Sequence, residues 1–210
     1  MNNHIYTIGR EFGSGGKDVG VALAKRLGVK CYDKELLAEA AKESGFCAEI
    51  FENHDEKPTN SFLYSLVMDT YSFGGYSSAP FLDMPLNHKV FLAQFDTIKK
   101  IAEKEPCVIV GRCADYALAD NENCLNIFIH ADLDYRIARV SKNLDLTANK
   151  AKDAIVKADK QRASYYNYYT SKKWGDSKSY HLTLDSSRIG IEGCVDLILT
   201  YREHMEKMKK

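Results

Sequence analysis

The chain has no excess of charge of either sign. Its 210 residues carry 29 Lys and Arg against 29 Asp and Glu, so the balance gives no reason for nonspecific binding to nucleic acid or to an acidic membrane. Any phosphate site has to be a local basic cluster. No apolar run approaches the roughly 18 residues of a membrane span. The N-terminus reads straight into a strand without a leader pattern, which makes a cytoplasmic location the expectation. Paired cysteines are missing too. Cys31, Cys47, Cys107, Cys113, Cys124 and Cys194 are scattered, with no Cys-x-x-Cys and no close His. They read as reduced core residues and not as a disulfide frame or a zinc site. With no internal repeat and no long linker, one large domain is expected.

What is present is organised around Ile5 to Asp18. A short apolar run, Ile5-Tyr6-Thr7-Ile8, feeds the turn Gly9-Arg10-Glu11-Phe12-Gly13-Ser14-Gly15-Gly16. Lys17 then stands at the head of the helical pattern Val19 to Leu27. Glycines let the backbone turn tightly enough for successive N–H groups to point at one anion. The helix that follows brings its positive dipole end to the same place. Lys17 would reach the terminal phosphates of a nucleotide. The complete phosphate-loop pattern has Gly six residues before the Lys and Ser or Thr directly after it. Here those places hold Glu11 and Asp18, so a plain glycine-rich turn without a ligand stays open as the alternative.

Beyond Gly28, a helix stop, Val29 to Asp33 is a brief strand ending in an acidic residue, and Lys34 to Ser44 has helical spacing. Asp33 therefore sits where open parallel sheets place ligand groups, or caps the next helix. From Phe46 to Asn87 the periodicity weakens, with one short helix expected near Phe62 to Met68, and this reads as an insert able to cover a site. Asn87 to Lys104 returns to an amphipathic helix. Pro106 to Val110 is a buried-strand run closed by Gly111-Arg112. An Arg at such a place needs an anion or a carboxylate, so either phosphate recognition or a structural ion pair explains Arg112. Asn126 to Ala131 is another buried run, with His130 more naturally packed than catalytic. The helix Asp134 to Asn143 follows, with Arg136 and Arg139 on one face. Thr147 to Tyr166 is a long charged helix containing Asp159 and Arg162. Tyr165 to Lys173 sets tyrosines beside lysines, a composition that could stack on single strands but at neutral net charge fits a packed tail or nucleotide lid better. Tyr180 to Asp185 reads as the last strand and Gly193 to Met205 as the last helix. Strands alternating with helices predict an α/β fold with a mostly parallel, doubly wound sheet.

Several of these stretches, in this order, resemble the cytidylate-kinase-like family of bacterial proteins. They are Arg10-Glu11-Phe12-Gly13-Ser14-Gly15-Gly16, Tyr32-Asp33-Lys34-Glu35-Leu36 and Val108-Ile109-Val110-Gly111-Arg112-Cys113-Ala114-Asp115. The surroundings of Asp159, Arg162, Tyr165 and Tyr166 and the strand Tyr180 to Ser186 belong to the same likeness. The resemblance implies a P-loop NTPase type of α/β fold, a five-stranded parallel sheet flanked by helices. Its core would be residues 1–45 and 88–210, its acceptor-binding insert 46–87 and its lid about 140–178. It implies a kinase acting on small nucleotide substrates with ATP and Mg2+, CMP or dCMP being the acceptor the family name suggests. Gly13, Ser14, Gly15, Gly16, Lys17 and Asp18 would hold the donor phosphates, while Arg10, Asp33 and Arg112 would meet the acceptor. Arg136, Arg139 and Arg162 would surround the transferring group, with Asp159 orienting them. With Asp18-Val19 where the family keeps a hydroxyl, magnesium would need other oxygens, Ser14 and Asp33 being the candidates.

Overall fold

The computed structural model describes residues 4–33, 56 and 85–208. The helix read over Lys34 to Ser44, the short helix near Phe62 to Met68 and nearly all of the insert 46–87 lie outside the described residues. Among those described, five strands and six helices alternate. They are β1 (Ile5–Arg10), α1 (Gly16–Leu27), β2 (Lys30–Tyr32), α2 (Leu86–Lys104), β3 (Cys107–Val110) and α3 (Ala114–Ala117). There follow β4 (Cys124–His130), α4 (Leu133–Leu144), α5 (Ala148–Thr170), β5 (Leu182–Asp185) and α6 (Ser186–Met208). The sheet runs β2-β3-β1-β4-β5 with every pairing parallel. This is the α/β architecture the alternation predicted.

The sheet order explains the composition of its strands. β1 lies in the middle, Ile5 facing Cys107 of β3 on one side and Cys124 of β4 on the other. Covered on both faces, the central strands have to be apolar almost without interruption. The two-residue period sorts their side chains. Tyr6, Ile8, Val108, Leu125, Ile127 and Ile129 pack with Val19, Leu23, Val195 and Ile198 of α1 and α6. Ile5, Cys107, Ile109 and Cys124 face the other way, against Ile98 and Ile101 of α2 and Ala114 and Ala117 of α3. The described cysteines are free thiols, four of them buried. α1 stops at Gly28, whose φ of 67° is left-handed. Thr147 opens α5 by accepting a bond from Lys150 N–H.

Two elements differ from the sequence reading. The last helix begins at Ser186, seven residues before Gly193, and absorbs a kink at Gly190, where φ is 68°. The tyrosines of the Tyr165 to Lys173 stretch belong to α5, which runs four residues beyond Tyr166 to Thr170. Tyr165, Tyr166 and Tyr169 are buried against Phe91 of α2, and Phe91 stacks on Tyr169 with 4.0 Å between centroids and 9° between planes. Rings packed this way are core, while Lys172 and Lys173, just past the end of the helix, are exposed.

Candidate active site

The C-terminal ends of β1, β2 and β3 converge on one cleft. Gly13 and Gly15 have φ of 82° and 80°, values side-chain-bearing residues adopt only with strain. A Cβ on Gly16 would lie 2.4 Å from the Cβ of Arg10, so only glycine lets α1 start this close to β1. Ser14 is fully buried. Its hydroxyl donates to the Glu11 carbonyl at 2.9 Å and accepts from Gly16 N–H at 3.3 Å, so it is engaged inside the loop. From α6, the Ser186 hydroxyl donates to the Ser14 carbonyl at 2.5 Å.

Both departures from the phosphate-loop pattern have structural partners. Glu11 accepts from Ala131 N–H at 3.1 Å and faces Arg136 at 3.4 Å, tying the loop to the end of β4 and to α4. Asp18 pairs with Arg139 at 2.6 Å. Asp159 of α5 completes the frame, accepting from Phe12 N–H at 2.7 Å and from Arg136 at 2.6 Å.

Lys17 meets one oxygen of Asp33 at 2.8 Å and Arg112 meets the other, also at 2.8 Å. Burial pushes the Asp33 carboxyl up, but these two hydrogen-bonded cations outweigh it and hold the group below its ordinary value. Arg112 is itself buried and also donates to the Val110 carbonyl at 2.9 Å. It stands in a run of three left-handed residues, Gly111, Arg112 and Cys113, with φ of 77°, 53° and 54°. Non-glycine residues in that region cost about 1–2 kcal/mol each, and such strain gathers where a backbone group must be aimed. Here the aimed group is Arg112 N–H, which donates to Glu56 at 3.2 Å.

Glu56 draws in two more guanidinium groups, Arg10 at 2.8 Å and Arg162 at 3.5 Å. Burial opposes its charge, yet Arg10, Arg162 and Arg112 together keep the carboxyl well below the usual range. Burial and the neighbouring Arg10 lower Arg162 to about 10. Arg162 also donates to the Arg10 carbonyl at 3.2 Å and lies over the Phe12 ring.

Two cavities meet at this cluster. The larger, of about 310 Å³, is lined by the glycine loop, Lys17, Asp18, Asp33 and Arg139, with Arg10 and Arg162 as its inner wall. The smaller, of about 20 Å³, lies behind that wall against Glu56, Arg112, Asp115, Tyr166, Trp174 and Tyr180, and is about the size that takes one water. In it Tyr166 donates to Asp115 at 2.6 Å. Burial raises the Asp115 carboxyl in spite of that bond.

Of the residues singled out in the sequence, Arg10, Gly13, Gly15, Gly16, Lys17, Asp18, Asp33, Arg139 and Arg162 share the larger cleft. Arg112 backs Asp33 from the second cavity. Arg136 and Asp159 stand behind the loop, and Ser14 is inside it. The sequence reading did not single out Glu56, Asp115 or Tyr180, and gave Glu11 no partner. Glu56 meets Arg10 across 46 residues and Arg112 across 56, so no local spacing signals it.

The model of the cytidylate kinase-like family matches residues 5–188. An uncharacterised protein from Eubacterium ventriosum is 31% identical with a TM-score of 0.72, covering 96% of this chain and 99% of its own. Shikimate kinase from Bacteroides thetaiotaomicron superposes with a TM-score of 0.54 at 15% identity, covering 95% of this chain and 98% of its own. Shikimate kinase from Acinetobacter baumannii, solved in complex with shikimate, gives 0.50 at 14% identity, covering 96% and 93%. At those identities the shikimate kinases show a shared fold. No curated protein matches the chain.

Proposed function

We propose that this chain, which belongs to the cytidylate kinase-like family, transfers a phosphoryl group from ATP to a small acceptor, most simply a nucleoside monophosphate such as CMP or dCMP. The observation that carries the reading is the cleft of about 310 Å³ that gathers the glycine loop, Lys17, Asp33, Arg139 and Arg162. Phosphoryl transfer demands little covalent chemistry of a protein; positioning and cations around the moving group supply most of it. Lys17 and the loop N–H groups would hold the donor phosphates. Arg139 and Arg162 would add positive charge where the group passes, and Arg112 would face the acceptor beside Asp33. Arg136 and Asp159 would act through the loop, by fixing Phe12.

The donor set fits magnesium in one way. Among the described residues no group of three or more Asp, Glu, His or Cys could hold a metal ion. Magnesium commonly relies on one or two carboxylates, phosphate oxygens and water. Asp33 on the cleft wall would contribute an oxygen once Lys17 turns from it to the phosphates, whereas the Ser14 hydroxyl is engaged within the loop. The ion would neutralise phosphate charge when bound. Asp18, next along, is held by Arg139.

That same pair favours a second reading, a nucleotide-binding regulatory protein without useful turnover. A carboxylate paired with arginine stands where the usual pattern has a magnesium-binding hydroxyl. Coupled ADP release with ATP–Mg, run against nucleoside monophosphates, shikimate and an acceptor-free control, separates the readings. Release with one pyrimidine acceptor supports the first. Release with shikimate alone keeps the kinase and changes its acceptor, and tight ATP binding with silence across the panel favours the regulatory protein.

A further inference from the structure

The partition between the two cavities is built like an anion site. Arg10 and Arg162 line both cavities, and Arg112 closes the smaller one. Their side chains retain 11%, 18% and 3% of their exposure, so the three guanidinium groups are almost withdrawn from water. Buried arginines this close require an anion. Two oxygens supply it. Oε1 of Glu56 takes Arg10 at 2.8 Å and Arg112 N–H at 3.2 Å, while Oε2 faces Arg10 at 3.4 Å and Arg162 at 3.5 Å. Charge-assisted contacts from guanidinium forks and an aimed backbone N–H are how proteins hold carboxylates and phosphates. The strained run Gly111 to Cys113 aims that N–H into the same seat.

We propose that Glu56 occupies an oxyanion seat: the cradle of Arg10, Arg112 and Arg162 binds a phosphate or carboxylate group of the acceptor, and the Glu56 carboxylate fills that place until the acceptor's anion exchanges for it. The acceptor as the source of the anion rests on the kinase reading; the seat itself does not. Exchange hands the two partition arginines from an internal carboxylate to a group lying against the donor cleft. It therefore ties their availability for phosphoryl transfer to the presence of the acceptor.

The test measures the seat without turnover. Inorganic phosphate is titrated calorimetrically into the full chain carrying Lys17→Ala, which weakens the glycine-loop site, with and without Glu56→Ala or Glu56→Gln. Vacating the seat should tighten phosphate binding by about tenfold or more in Glu56→Ala, with Glu56→Gln intermediate because its amide still fills the space. Acetate in a parallel titration reports whether the seat prefers a carboxylate to a phosphate. Unchanged or weaker phosphate binding in both Glu56 variants overturns the proposal. Removing the carboxylate takes the Glu56 anion from the buried Arg10 and Arg162 while Arg112 keeps Asp33, so the variants can lose stability. Phosphate added at constant ionic strength should then restore the melting temperature of Glu56→Ala beyond any effect on the parent, and failure to restore it overturns the proposal equally. A tight phosphate seat in a protein silent across the acceptor panel keeps this inference and sinks the kinase reading. ADP release with no gain in phosphate binding does the reverse.

Discussion

Replacing Lys17 by Ala separates chemistry from architecture, because the two effects can be sized from the structure. The side chain is 57% exposed and, among the described residues, pairs with Asp33. A pair this open to solvent is screened and contributes less than about 1 kcal/mol. Asp33 also keeps Arg112 when Lys17 is gone, so no buried charge is stranded. At this chain length such a change lowers the melting temperature by about 2–4 °C at most. A donor aimed at developing charge is another matter, since removing one typically costs about 100- to 1,000-fold in kcat. The expected result is therefore a nearly unaltered thermal melt with ADP release reduced at least about 100-fold, both measured on one preparation. A melting temperature that falls by more than about 10 °C alongside the activity would make Lys17 a structural residue. Unchanged release would remove it from the phosphate site altogether.

Other substitutions probe the frame around the cleft. Asp159→Ala strands Phe12 N–H and leaves Arg136 to Glu11, which should cost about 2 kcal/mol in urea unfolding; a loss under about 1 kcal/mol would refute the bridging role. Gly16→Ala puts a methyl 2.4 Å from the Arg10 Cβ, so nucleotide binding by calorimetry should be lost, and wild-type affinity would contradict the close approach. Asp33 and Glu56 both titrate below their ordinary values. Their contribution to stability is complete above the unfolded-state pKa of about 4 and is lost as pH falls through the folded values. Urea unfolding from pH 6 to pH 3 should show that decline, and Asp33→Asn should flatten it; a parallel decline in the variant would exclude Asp33 as its source. Asp115 has the opposite sign, its raised folded value making the ionised form a cost as pH rises through it. Asp115→Asn, which still offers Tyr166 an acceptor, should unfold at neutral pH no more easily than the parent, and a loss above about 2 kcal/mol would refute this.

Elements with strong local patterns were legible in the sequence. Buried runs such as Pro106 to Val110 and Asn126 to Ala131 announce strands covered on both faces, and the glycines of 13 to 16 announce a tight turn before a helix. Local patterns do not carry sheet order. That β1 lies between β3 and β4 follows from packing both faces, not from any spacing in the chain. The tyrosines of α5 read ambiguously because aromatic rings beside lysines suit either a core or a stacking surface, and only the partner Phe91, on another helix, decides it. Glu11 looked like a defect in a motif. Its partners, Ala131 N–H and Arg136, lie more than a hundred residues along the chain. Glu56 looked like one charge in the short run Asp55-Glu56-Lys57. Its importance arises from three arginines that the fold brings to it.

The lengths of the strands have a consequence away from the cleft. They shrink from the middle of the sheet outward: β1 has six residues and β4 seven, whereas β2 and β5, which flank the sheet among the described residues, have three and four. A flank this short exposes only a few unpaired backbone groups, too few to template pairing with a neighbouring molecule. Among the described residues, then, the sheet offers a neighbouring molecule little edge to pair with.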